Sequence, residues 1–106
     1  SFHLTPMLKH IVMWRYKEGA EGKSALQHAH WMKTHLEALL AIIPELHTLE
    51  YGIDTLRTPS SYDGVLTITV DDVLSLQRYA QHPEHLKIVD YAGRVAENRV
   101  VVDYEC

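Results

Sequence analysis

The chain has 106 residues, 46% of them hydrophobic and 23% charged, the balance of an ordinary globular domain rather than a disordered or fibrous chain. Its formal net charge is −4. No block of basic residues and no interleaving of aromatics with Lys or Arg accompanies it, so nucleic acid is not an expected partner. No apolar run reaches the roughly 20 residues of a membrane-spanning helix, and Cys106 is the single cysteine. No membrane and no intrachain disulfide are therefore expected, and a reducing, cytoplasmic setting is.

Ser1 to Pro6 lack the charged start and apolar centre of a signal peptide and read as a tag remnant or short unstructured lead, leaving one domain over residues 7–105. Leu8 to Lys17 alternates as a strand, with Leu8, His10, Val12, Trp14 and Tyr16 on one face and Lys9, Ile11, Met13 and Arg15 on the other. The glycines Gly19 and Gly22 break this pattern. Helical spacing follows from Lys23 to Ile43, where Leu26, Ala29, Met32, Leu36, Leu39, Leu40 and Ile43 form one apolar stripe that Pro44 ends. Leu46 to Leu56 is extended, residues 57–61 are a loop, and Val65 to Val70 is a third, β-branched strand.

Asp71 or Asp72 can cap the next helix, whose apolar positions are Val73, Leu76, Tyr79 and Ala80. Pro83 lacks an N–H and disfavours helix at His82, so this helix stops there, yet Pro is well placed to open another. Leu86, Val89, Ala92 and Gly93 predict a short helix, and Arg99 to Tyr104 a last strand. The order β-α-β-β-α-β is that of a ferredoxin-like α+β fold, an antiparallel sheet with helices on one face. Ile11, Met13, Val100, Val102 and Tyr104 are apolar on the side the helices do not reach. That second apolar face predicts a homodimer joined through the sheet.

The run Lys9 to Lys17, the Ile42-Ile43-Pro44 helix end, the His82-Pro83-Glu84-His85 corner and the closing Val102-Asp103-Tyr104 together resemble the stress-responsive A/B barrel (Dabb) family. The resemblance implies a dimeric α/β barrel built from two ferredoxin-like sheets. One branch of the family comprises plant polyketide cyclases, which close a linear polyketide by aldol condensation without metal or organic cofactor. There a Tyr and a His carry the chemistry, and Tyr79 and His85 stand at the matching positions. A first-strand pocket His matches His10, whereas a third-strand pocket His falls at Gly64. The resemblance thus implies a small-molecule pocket with His10, Val12, Trp14, Met32, Leu36, Leu66 and Ile88 in its wall.

The residue types fit such chemistry. An imidazole titrates near neutrality and can take a proton from an acidic carbon, while a phenol O–H can hold a developing enolate oxygen. The competing reading makes His85 a backbone-bonded helix-start residue and Tyr79 a core filler. Asp103 has two readings as well. Alternation places it with Val101 on the helix-facing side, buried and orienting His10 or His85; otherwise it is solvated beyond the sheet.

Eight histidines do not make a metal site. His28 and His30 point to different sides of a helix, and His28 and His35 lie about 10.5 Å apart along it. With His47, these are expected on the surface or a helix flank. Three functions remain open: a cofactor-free lyase or cyclase, a non-enzymatic stress-associated protein acting through its assembly, and a haem-binding or monooxygenating barrel as in related families.

Overall fold

The computed structural model describes residues 6–106, so the expected lead, apart from Pro6, lies outside the described residues. Strand β1 (Leu8–Tyr16) leads through a 3₁₀ turn (Ala20–Gly22) into helix α1 (Ala25–Ala38), which tightens into a second 3₁₀ turn (Leu39–Ala41). Strands β2 (Thr48–Ile53) and β3 (Gly64–Val70), helices α2 (Val73–Gln81) and α3 (Pro83–Val95), and strand β4 (Ala96–Glu105) complete the chain. The strands run antiparallel in the order β2-β3-β1-β4, which is the ferredoxin-like arrangement expected.

Local chemistry sets the boundaries. Gly19 and Gly22 take positive φ angles of 86° and 75°, open to glycine without steric cost, and turn the chain out of β1. Helix α1 starts later than expected because Ser24 and Gln27 form a reciprocal capping box. Of the two candidate caps for α2, Asp72 fills the role and accepts from the Ser75 amide at 2.9 Å. Asp71 instead accepts from His47 Nε2 at 2.7 Å. His82 is extended at ψ 134°, as a residue before proline should be, and its Nδ1 accepts from the Glu84 amide to cap α3. The second strand is shorter than predicted, and Leu56 is exposed in the loop beyond it.

Val12, Trp14, Tyr16, Tyr51, Leu66 and Ile68 cover the inner face of the sheet, where Met32, Leu36, Ile88 and Val95 meet them. The helix faces differ from the sequence expectation. Leu26 on α1 and Leu40 in the 3₁₀ turn after it are 41% and 44% exposed, while Ala25 and His28 on α1 are buried. His28 is therefore not a surface histidine. Its Nε2–H donates to the Ala20 carbonyl at 2.9 Å and its Nδ1 accepts from the Tyr91 hydroxyl at 2.6 Å, so both ring nitrogens are satisfied. Helix α3 is not short but 13 residues long, and it buries Ile88, Tyr91, Ala92 and Val95 while Leu86 and Val89 stay half exposed. Val73, in the first turn of α2, is likewise exposed.

Strand β4 stands apart. Every residue after Ala96 is exposed, including Val100, Val102 and Tyr104 on the outer face and Val101 on the inner one. Val100, Val102 and Tyr104 join Met13 on the outer face in an apolar surface that a lone globule rarely tolerates. No helix among the described residues is long and apolar enough to cross a membrane.

Candidate active site

A cavity of about 760 Å³ opens between helices α2 and α3 and the inner side of β1 and β4. Its wall includes His10, Val12 and Trp14 from β1, Met32 and Leu36 from α1, Leu66 from β3, and Tyr79, His85 and Ile88 from the helix pair. All nine residues singled out for a pocket are thus in one wall. Asp103 is not in it. It reaches the site through His10, whose Nδ1 lies 2.5 Å from Asp103 Oδ1. The expectation that Asp103 is buried is corrected: its side chain is 41% exposed, because β4 is the sheet edge and no described residue covers it. His10 itself is only 12% exposed.

The Pro83 corner sets the two central side chains. Tyr79 lies in the last full turn of α2 and His85 in the first turn of α3, and their rings meet at 4.3 Å between centroids, tilted by 41°. The His85 Nδ1–H donates to the Ala80 carbonyl at 2.9 Å. That bond fixes the tautomer and leaves Nε2 as the basic nitrogen. Burial pulls the His85 pKa below the ordinary histidine value; the Ala80 carbonyl opposes this, and the positive groups at His10, Arg99 and His82 add to it. The imidazole is consequently neutral at pH 7, ready to accept a proton.

Tyr79 is 1% exposed and its hydroxyl has no hydrogen-bond partner among the described residues. Burial raises its pKa, partly offset by Arg99, so the phenol stays protonated and can only stabilise a charge by donating. Trp14 is the other buried residue with an unpaired polar atom, its indole Nε1. Unsatisfied buried donors are uncommon, and both of these residues belong to the wall of one cavity.

The deep end is closed by aromatic packing. Trp14 stacks with Tyr51 at 6.1 Å and with Tyr16 at 6.5 Å between ring centroids, and the Tyr16 and Tyr51 hydroxyls bond at 2.7 Å. A Cβ on Gly64 would lie 2.0 Å from the Tyr51 hydroxyl oxygen. The space of a side chain at position 64 is therefore filled from position 51. Beneath, buried Asp63 accepts from the Tyr16 amide at 2.7 Å and pairs with Arg57 at 2.7 Å, which pins the loop into β3. At the cavity mouth stand Arg99, Glu97 and Asn98, which the sequence reading had not placed in the site. The signal for Arg99 was available, since the alternation that put Asp103 and Val101 on the inner face puts Arg99 there too. Among the described residues, no three His, Cys, Asp or Glu side chains are grouped to hold a metal ion.

An antiparallel ferredoxin-like sheet with a half-open cavity under two helices defines an A/B-barrel type of domain. The chain belongs to the Stress responsive A/B Barrel Domain (Dabb) family, whose model matches residues 8–106. It is 24% identical over 99 residues to the olivetolic acid cyclase of Cannabis sativa, covering 92% of this chain and 94% of that protein. Among solved structures it resembles a dimeric protein of ferredoxin-like fold from Bacteroides fragilis, at 28% identity and a TM-score of 0.80, covering 94% and 96% of the two chains. The hydroxynitrile lyase of Passiflora edulis shares the fold at 19% identity and a TM-score of 0.77, covering 94% and 93%.

Proposed function

We propose that the protein is a homodimeric α/β barrel whose cavity binds a small, partly apolar carbonyl compound and performs acid–base chemistry on it. His85 is the general base and Tyr79 the oxyanion donor. His85 Nε2 removes a proton from the carbon beside the carbonyl, the C–H pair forms a carbon–carbon double bond, and the carbonyl π pair moves onto the oxygen. The enolate oxygen is met by the Tyr79 O–H. The enolate carbon then either attacks a second carbonyl in the same chain, an aldol-type cyclisation whose new alkoxide takes the proton back from the imidazolium, or the carbanion is itself reprotonated by the imidazolium. General acid–base participation of this kind contributes roughly 10²–10⁴-fold in rate.

The observation that carries this reading is the Tyr79 hydroxyl, buried and unpaired beside a neutral His85 in the wall of a cavity. His10, held by Asp103, shapes the same wall. The relatives named as a cyclase and a lyase agree with a catalytic role. Exchange of the acidic protons of acetylacetone in deuterated water, followed by NMR, tests it. Acceleration by wild-type protein and not by His85→Ala is the expected result, and equal rates with both proteins would discard the base assignment.

The dimer part of the proposal rests on β4, exposed on both faces, and agrees with the dimeric neighbour of like fold. The same exposure also favours a second reading, in which the assembly is itself the functional object and the cavity is incidental. A protein that stays dimeric but gives no exchange with any carbonyl compound would support that alternative.

A further inference from the structure

We propose that His82 is the positioning residue of the acid–base pair: its neutral ring caps α3 and holds His85 against Tyr79, and a proton on that ring releases the cap. The inference concerns how the site described above is assembled and rests on that reading. His82 is not in the cavity wall, so it acts only through its neighbours.

Three bonds make His82 the joint of the Pro83 corner. Its amide donates to the Tyr79 carbonyl at 3.2 Å and closes α2. Its carbonyl accepts from the Leu86 amide at 2.9 Å, which opens the ladder of α3. Its ring Nδ1 accepts from the Glu84 amide at 3.1 Å. Pro83, at the start of α3, has no N–H to offer, so Glu84 carries the first orphan donor of the helix and His82 satisfies it. Tyr79 is tied to one side of this residue, and the turn that carries His85 to the other. The bond from His85 Nδ1–H to the Ala80 carbonyl crosses the same corner and needs both turns in place.

Ser, Thr, Asp and Asn are the usual caps. An imidazole differs from them because it titrates near neutrality, and once protonated it has no lone pair at Nδ1 to accept with. An imidazolium at this place would also face the positive end of the α3 dipole and the His85 ring beside it. Glu84 pulls the other way, but its carboxylate is already paired with Lys87 at 2.7 Å. From the sheet, His10 on β1 and Arg99 on β4 act on His85 in the same sense as His82 does. A proton on His82 therefore removes an acceptor from the helix start and adds a like charge next to the base.

The test uses the intact protein with two variants. His82→Asn keeps an oxygen acceptor at the cap but does not titrate, and His82→Ala removes the acceptor. In wild-type protein the His85 ring protons, followed by NMR, should show two inflections with pH, and the Glu84 amide should lose protection from hydrogen exchange with one of them. His82→Asn should leave a single inflection at His85 and a Glu84 amide protected throughout. At neutral pH, His82→Ala should lose about fivefold in acetylacetone exchange, the population effect of one missing cap, and His82→Asn should recover most of it. A wild-type Glu84 amide that stays protected across the whole range, or an Asn variant as impaired as the Ala variant, overturns the positioning role while the acid–base reading stands. If no protein accelerates the exchange, wild type included, the acid–base reading falls, and the His85 and Glu84 titrations still decide whether His82 governs the corner.

Discussion

The His85 imidazole packs against the Tyr79 phenol at 4.3 Å while its Nδ1–H is tied to the Ala80 carbonyl, the residue next to Tyr79 in the chain. One helix end thus supplies both the ring that faces the histidine and the acceptor that orients it. Pro83 makes this possible, because it ends α2 and opens α3 within a few residues. The geometry separates the two roles: among the described residues His85 has a partner for one nitrogen only, and Tyr79 has none for its hydroxyl.

Tyr79→Phe removes a buried hydroxyl that no neighbour satisfies. It should leave stability unchanged or raise it by about 1 kcal/mol, since an orphaned buried polar group costs about that much or more. Enolisation should fall with it. Chemical denaturation alongside the exchange assay checks both halves, and a marked loss of stability would show that the hydroxyl is bonded in solution.

His85 should titrate below the ordinary histidine range. Its folded pKa is depressed, so the unfolded chain binds the proton more readily, and stability falls as pH drops from the unfolded value towards the folded one. Above that window this group contributes no pH dependence. The acid limb of any activity should lie in the same window. NMR titration of the His85 ring proton, with His85→Ala as the assignment control, measures it; a midpoint above the unfolded value would contradict the burial argument.

Val100→Lys combined with Val102→Lys should split the proposed dimer or prevent folding. Both side chains are on the outer face of β4, 46% and 61% exposed in the single chain. Light scattering at micromolar concentration gives the mass directly. A wild-type protein that is monodisperse as a monomer would remove the dimer.

His28→Ala should destabilise the fold by about 2–4 kcal/mol, because it empties a buried site and leaves the Tyr91 hydroxyl and Ala20 carbonyl unpaired. It should leave ligand affinity alone where the fold persists, since His28 is not in the cavity wall. Urea unfolding read by fluorescence quantifies the first expectation.

The element order and the ferredoxin-like sheet were legible because period-two and helical patterns alternate cleanly and proline and glycine mark the breaks. Cα register brought the inner residues of β1 and β3 into one wall, as alternation predicts. What sequence could not show was which helix face turns inward when two candidate stripes overlap. On α1 the choice lay between Leu26 and the Ala25–His28 pair, and apolar character favoured the wrong one. A histidine in a core slot is visible only through its partners, and Tyr91 is 63 residues from it while Ala20 lies on the other side of the glycine turn. Asp103 was misjudged for a different reason. Its facing was right, but a sheet edge without a covering helix leaves even the inner face open to water. The unpaired hydroxyl and indole were beyond reach, because an absent partner leaves no mark on a sequence.

The fit of Tyr51 into the space at Gly64 couples the two positions sterically. Any side chain at position 64 would collide with the phenol, and the two residues sit on neighbouring strands whose spacing is held by the sheet. A side chain at position 64 therefore requires a smaller residue at position 51 or a displaced phenol. The size of the residue at position 51 thus limits what position 64 can hold.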